Sequence, residues 1–238
     1  MESSARYNMS AMQRWVVVIL LCGLSVGPAR LPARDTAPSN SADQLATTTD
    51  NLRSEVFELA LEAYGEALEA GHVTRDRLTI IDYSLPSYKP RLWVIDMENR
   101  TVIYEELVAH GMGSPRGSGG DMERAKDFSN LLGSRKSSLG LFVTAETYQG
   151  RHGYTLRLDG LEDGINDNAR ERLIVLHGAH YVTEARAEDH LVGRSWGCPV
   201  VRPEVSREII DAIKGGSALW IYYPDDEWLA TSEYLDGD

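Results

Sequence analysis

Apolar positions near the start of the chain's folded part recur at helical spacing. Val56, Leu59, Ala60, Ala63 and Ala67 share one face of a helix predicted over about residues 53–70 and ended near Gly71. A second helix is predicted from Pro203 to Lys214, with proline in its first turn and Gly215-Gly216 at its end. Between the two, the pattern is that of strands. Leu78–Tyr83, Arg91–Asp96 and Thr101–Ala109 are apolar runs rich in β-branched and aromatic residues, with Glu98-Asn99 as a hairpin turn between the last two. Gly140–Thr147 and Tyr154–Leu158 form another predicted pair around Gly150-Arg151-His152-Gly153. Leu173–Leu176 reads as a short buried strand running into His177, and Ala218–Tyr223 as a last strand. Gly111 to Gly120, with five glycines and a proline, is a loop. Strands and helices do not alternate, which argues against a doubly wound parallel sheet. The expected fold is mainly β with flanking helices, two packed sheets in a single sandwich-like domain.

The N-terminus follows a different pattern. Arg6 and Arg14 precede twelve uncharged, largely apolar residues from Trp15 to Val26. That is short for a spanning helix, which needs about 20 residues, and suits the apolar core of an export signal. Gly27-Pro28-Ala29 offers a cleavage site, so residues 1–29 are a cleaved signal peptide or a retained anchor. Residues 30–52 are rich in Ala, Ser, Thr, Pro and Asp without periodicity, and read as a flexible tether to a domain over 53–238. This organisation places the domain outside the cytoplasm, in the periplasm or cell envelope, and implies a membrane tether through the N-terminus if the signal is kept.

Charge narrows the partners. The 238 residues carry a net charge of −12, opposite to the basic footprint that nucleic acid or anionic lipid requires. Two cysteines are too few for a disulfide scaffold or a four-thiolate zinc site. Cys22 lies in the signal segment, preceded by Leu21 unlike a lipoprotein acylation site, so the exported part holds one thiol, Cys198.

Cys198 sits in Gly193-Arg194-Ser195-Trp196-Gly197-Cys198-Pro199. Glycine before a cysteine lets backbone and substrate approach closely, and N–H groups of such a turn can hold an oxyanion. A buried structural cysteine is the bland reading, and the polar loop speaks against it. A thiol with a free pKa near 8.5 needs a base nearby. His177 and His180 are the nearest upstream imidazoles, and His177 stands at a strand end, 21 residues before the cysteine.

The run from His177 to Cys198 resembles the signature of bacterial L,D-transpeptidases with a YkuD-type domain. Here it reads His177-Gly178-Ala179, a spacer of 15 residues, then Ser195-Trp196-Gly197-Cys198. Further stretches resemble the murein L,D-transpeptidase catalytic domain branch: IDYSLPS with RLWVID, AHGMGS, FSN with SSLG, HGYTLRLDGLEDGINDNAR, IVLHGAHYV and GRSWGCPVV. They span about residues 78–223. The resemblance implies Cys198 as nucleophile, His177 as general base, and the Gly178 carbonyl orienting the imidazole. It implies an oxyanion hole around Gly197 and Cys198, peptidoglycan stem peptides as substrate, and no metal or organic cofactor. Trp196 departs from the pattern, standing where many members have histidine. His110, Ser195, His180 and Tyr181 are further candidates to border the cleft, with Asn130 and Arg194 behind them. His152 and His190 read as solvated.

Rival readings remain. A zinc hydrolase would need His177 and His180 as ligands, which a strand end does not set on one face. A sortase-like enzyme needs a longer His–Cys separation and a later arginine, for which Arg202 is too close. A hydrolase on the same stem peptides, or an inactive peptidoglycan-binding module, would share the residues and differ in chemistry.

Overall fold

A computed structural model describes residues 51–113 and 122–235. The expected signal, nearly all of the tether and most of the glycine-rich loop lie outside the described residues.

Helix α1 (Ser54–Glu69) buries Val56, Phe57, Ala60, Ala63, Tyr64 and Ala67 along one stripe. It stops where Gly71 turns left-handed at φ 75°, a conformation glycine enters without a Cβ penalty. Eight strands follow in one hydrogen-bonded ladder: β1 (Arg77–Asp82), β2 (Leu92–Asp96), β3 (Thr101–Glu106), β4 (Gly140–Gly150), β5 (Gly153–Gly160), β6 (Val175–Gly178), β7 (Val200–Val201) and β8 (Ala218–Tyr222). Their order is β3-β2-β1-β8-β4-β5-β6-β7. The β1–β8 and β6–β7 pairs are parallel, the rest antiparallel. Short helices α2 (Glu184–Glu188) and α4 (Asp226–Leu229) flank the longer α3 (Pro203–Ile213).

The fold is mainly β with flanking helices, and one ladder supplies both of its layers. Helix α3 touches β1 as well as β5 and β6, strands separated in the ladder by β8 and β4, so the sheet curls around it. The two edges then meet. Ala109, three residues past β3, bridges Val200 of β7, with Ala109 N–H donating to Val200 O at 2.8 Å. Strands β2 and β8 are buried along their whole length, and β3 alternates with solvent as an edge strand does.

Several boundaries differ from expectation. The third strand ends at Glu106 rather than Ala109, and the strand expected over Leu173–Leu176 runs from Val175 to Gly178. Leu173 adopts φ 57° and is exposed, so the chain turns there before the ladder begins. The second helix ends at Ile213.

A buried carboxylate fastens the end of the chain to this sheet. Glu162 accepts hydrogen bonds from Leu141 N–H (2.6 Å), Trp228 Nε1–H (2.9 Å) and Ser232 Oγ–H (2.9 Å). Asn166 completes the knot, donating to the carbonyls of Leu139 and Leu141 and accepting from Glu162 N–H. Glu162→Ala strands three buried donors, so urea unfolding should show a loss of about 3–5 kcal/mol. Burial pushes the Glu162 carboxyl up, against the pull of its three donors. The folded state therefore holds this proton more firmly than the unfolded chain. The stability it contributes is full below the unfolded value and is lost as pH rises through the folded one.

Candidate active site

The ladder brings the thiol and imidazole singled out in the sequence to one cavity. Parallel pairing puts His177 of β6 opposite Val200 of β7, so Cys198, two residues earlier, lies alongside Val175. Val175 and His177 are two apart on a strand and face the same way. Both line a cavity of about 470 Å³ together with Cys198, Tyr181, Ser195 and Trp196.

The cysteine loop is stitched down from two sides. Ser195 N–H donates to His110 O (2.8 Å) and Met112 N–H to Ser195 O (2.9 Å). Ser137 Oγ–H donates to Gly197 O (3.0 Å) and accepts from Gly111 N–H (3.0 Å). Gly197 is required: its φ is 120°, and a Cβ would stand 2.7 Å from Lys136 O. Ser195 acts inside the turn, its hydroxyl donating to Cys198 O (2.6 Å) and accepting from Gly197 N–H (3.1 Å). Gly197 thus offers its conformation and not a free donor. Among the described residues the Cys198 N–H has no oxygen partner.

Cys198 is half-buried, and its thiol donates to Leu173 O at 3.6 Å. Burial pushes the thiol up, opposed by hydrogen bonding from the Val175 backbone and by the Arg172 and Arg151 charges. His177 is 3% exposed, and its Nδ1 lies 3.0 Å from Gly178 O. A carbonyl only accepts, so Nδ1 carries the hydrogen and Nε2 holds a free lone pair. Burial lowers the His177 pKa, the Gly178 bond opposes this, and His152 and Arg151 lower it further.

The remaining expected residues separate. Tyr181 lines the cavity, and its hydroxyl is pushed up to about 12 by burial first and by Cys198 second. Trp196 is 57% exposed and forms a wall, with Arg135 and Arg151 over its ring at 4.4 and 5.9 Å. His110 is not at the cleft surface. It is buried beneath the loop, where Arg91 Nη2 donates to its Nδ1 (2.9 Å). His180 is exposed, packs edge-on to Tyr181 and does not line the cavity. Asn130 ties a turn to Asp167 (2.7 Å), and Arg202 pairs with Glu106 and Glu184 beside a separate cavity of about 560 Å³. His190 lines that second cavity, stacked on Tyr88.

His152, expected in solvent, stacks on His177 with centroids 4.3 Å apart. It reaches there because β5 pairs Thr155 with His177, which swings the preceding hairpin tip over β6. Arg151, Arg172 and Tyr148 line the cavity and were not expected. Pairing the predicted hairpin with the His177 strand would have found His152 and Arg151; nothing local marks Arg172.

The sequence profile of the L,D-transpeptidase catalytic domain family matches residues 48–222. No match is found among curated proteins. Similar solved structures include an L,D-transpeptidase from Mycobacterium smegmatis, at 12% identity over 62% of this chain and 59% of that one, TM-score 0.37. An L,D-transpeptidase from Xylanimonas cellulosilytica is 16% identical over 69% and 77%, TM-score 0.35. The helical cell shape determining protein Pgp2 of Campylobacter jejuni is 8% identical over 64% and 49%, TM-score 0.41. This chain spans 59% of the first of these and 49% of the last.

Proposed function

This chain belongs to the L,D-transpeptidase catalytic domain family, and from that membership and the geometry around Cys198 we propose that it is a cysteine acyltransferase acting on peptidoglycan stem peptides. One observation carries the reading: a thiol and an imidazole with a free Nε2 line the same cavity, the imidazole held by Gly178 O.

Neutral at rest, His177 takes the thiol proton on Nε2 as Cys198 Sγ attacks the carbonyl at the L-centre of diaminopimelate in a tetrapeptide stem. The negative oxygen forms beside the turn of residues 197–198, where the Cys198 N–H is the donor to hold it. His177 returns the proton to the departing D-alanine amine, leaving a thioester on Cys198. An amine of a second stem then attacks the thioester, His177 accepts its proton, and the restored thiolate is reprotonated as the direct cross-link leaves. The step needs no metal or organic cofactor. Residues 1–29 supply export or anchoring, 30–52 the tether and 53–238 the catalytic domain, which puts the enzyme in the cell envelope with its substrate.

Mass spectrometry of stem peptides incubated with the protein tests this. Loss of D-alanine with a dimeric cross-linked product is expected. D-Alanine release without dimers would make the enzyme an L,D-carboxypeptidase, with water as the acceptor. Unchanged peptides would reduce the domain to a binding module.

A further inference from the structure

The chain is strongly acidic, yet among the described residues no Asp or Glu lines the cavity around Cys198, and three arginines do. Arg53, Arg77, Arg157, Arg170 and Arg202 each hold a carboxylate elsewhere in the fold. Among the described residues, Arg151, Arg172 and Arg194 hold none, as is true of several arginines away from the cavity.

Their hydrogen bonds divide them. Arg172 commits both terminal nitrogens, Nη1 to Ser129 O and Ser138 Oγ, Nη2 to Ser134 Oγ and Lys136 O. It lends the sulfur a positive charge and has no terminal donor to spare. Among the described residues Arg151 is bonded only through Nε, which donates to His152 Nε2 (3.0 Å). Among the described residues Arg194 is bonded only through Nη1, to Met112 O (3.1 Å). Both therefore keep terminal N–H groups free, in the planar fork that matches a carboxylate. A cavity lined by one sign of charge also concentrates ligands of the opposite sign.

We propose that Arg151 and Arg194 bind a carboxylate of the acyl donor beside Cys198, so that the site takes donors with a free carboxylate near the reacting carbonyl in preference to their amidated forms. This deepens the acyl-transfer reading above and rests on it. The pocket fixes the donor by charge-assisted bonds that an amide cannot make.

Two alkylating agents of nearly equal size isolate the effect. The full-length protein is treated with iodoacetate or iodoacetamide, and labelling is read on the peptide containing Cys198. The ratio of the two rates cancels any change in thiolate fraction, and 2-mercaptoethanol supplies the ratio for an unassisted thiol. The protein's iodoacetate-to-iodoacetamide ratio should exceed that of the free thiol by about tenfold or more, as one or two charge-assisted bonds imply. It should fall toward the free-thiol value in Arg151→Gln/Arg194→Gln and, in the unaltered protein, with added salt. A ratio equal to the free thiol's, or a raised one that neither salt nor the double variant lowers, overturns the proposal. Should the double variant fail to fold, Arg151→Gln alone at the exposed hairpin tip gives the same reading. With stem peptides, the free-carboxylate donor should be used at least about tenfold better than its amidated form. Equal use overturns carboxylate selection and leaves acyl transfer standing. A raised alkylation ratio with no stem peptide consumed does the reverse, sustaining the arginine pair and removing the acyl-transfer reading.

Discussion

Cys198→Ala should lower acyl transfer by about 10⁴- to 10⁶-fold, leaving no covalent intermediate. The thiol lines the same cavity as the His177 imidazole, and alanine keeps the loop's backbone while deleting the sulfur. A carbapenem reports this directly, because its strained lactam carbonyl acylates a reactive thiol and stays attached. Intact-mass measurement should show one adduct on the unaltered protein and none on Cys198→Ala. The loop is held through Ser195, Gly197 and Ser137 rather than through the sulfur, so the far-UV spectrum should be unchanged. An adduct that survives the substitution would transfer the chemistry to another side chain.

His177→Ala should cost about 10²- to 10⁴-fold in turnover near neutral pH, the usual worth of a positioned base. The pH dependence is more specific than the magnitude. Burial holds the His177 pKa low and the Cys198 thiol pKa high, so the resting pair is neutral imidazole beside neutral thiol. The acid limb of kcat/KM should then fall below the ordinary imidazole value of about 6.5. Without His177 the thiol must ionise unaided, and activity should climb with pH past the ordinary thiol range. His180→Ala should do neither, since that side chain lies outside the cavity. A normal profile in His177→Ala would assign the proton to a different group, with stacked His152 the first to examine.

Much of the fold was legible because its longer elements announce themselves by period. Helices α1 and α3 and the β4–β5 hairpin follow from spacing and turn residues. Strand β7, with two residues, and helices α2 and α4, with four or five, are too short to show any period. The meeting of the sheet edges at Ala109 and Val200 joins residues 91 positions apart, which no local pattern encodes. The site divides in the same way. Cys198 and His177, expected from order and spacing, line one cavity, while His152, Arg151 and Arg172 reach it only through tertiary pairing. The stretch around Asp159–Asn168 carried much of the resemblance, yet its Glu162 and Asn166 build the knot under β4 and touch no reacting group. His110 likewise supports the cysteine loop from beneath, through its carbonyl and Arg91.

The Ala109–Val200 bridge bears on how a peptide can approach. Val200 is flanked by β6 on one side and residue 109 on the other, so among the described residues the strand beside Cys198 has no open edge at that position. An extended peptide cannot join the ladder there by main-chain pairing, a mode that tolerates sliding by two residues at a time. A peptide held at that position by its side groups and charges has fewer equivalent alignments than one paired through its backbone. On the acyl-transfer reading proposed above, the side groups of the stem would then weigh more than its backbone in setting which amide bond meets the sulfur.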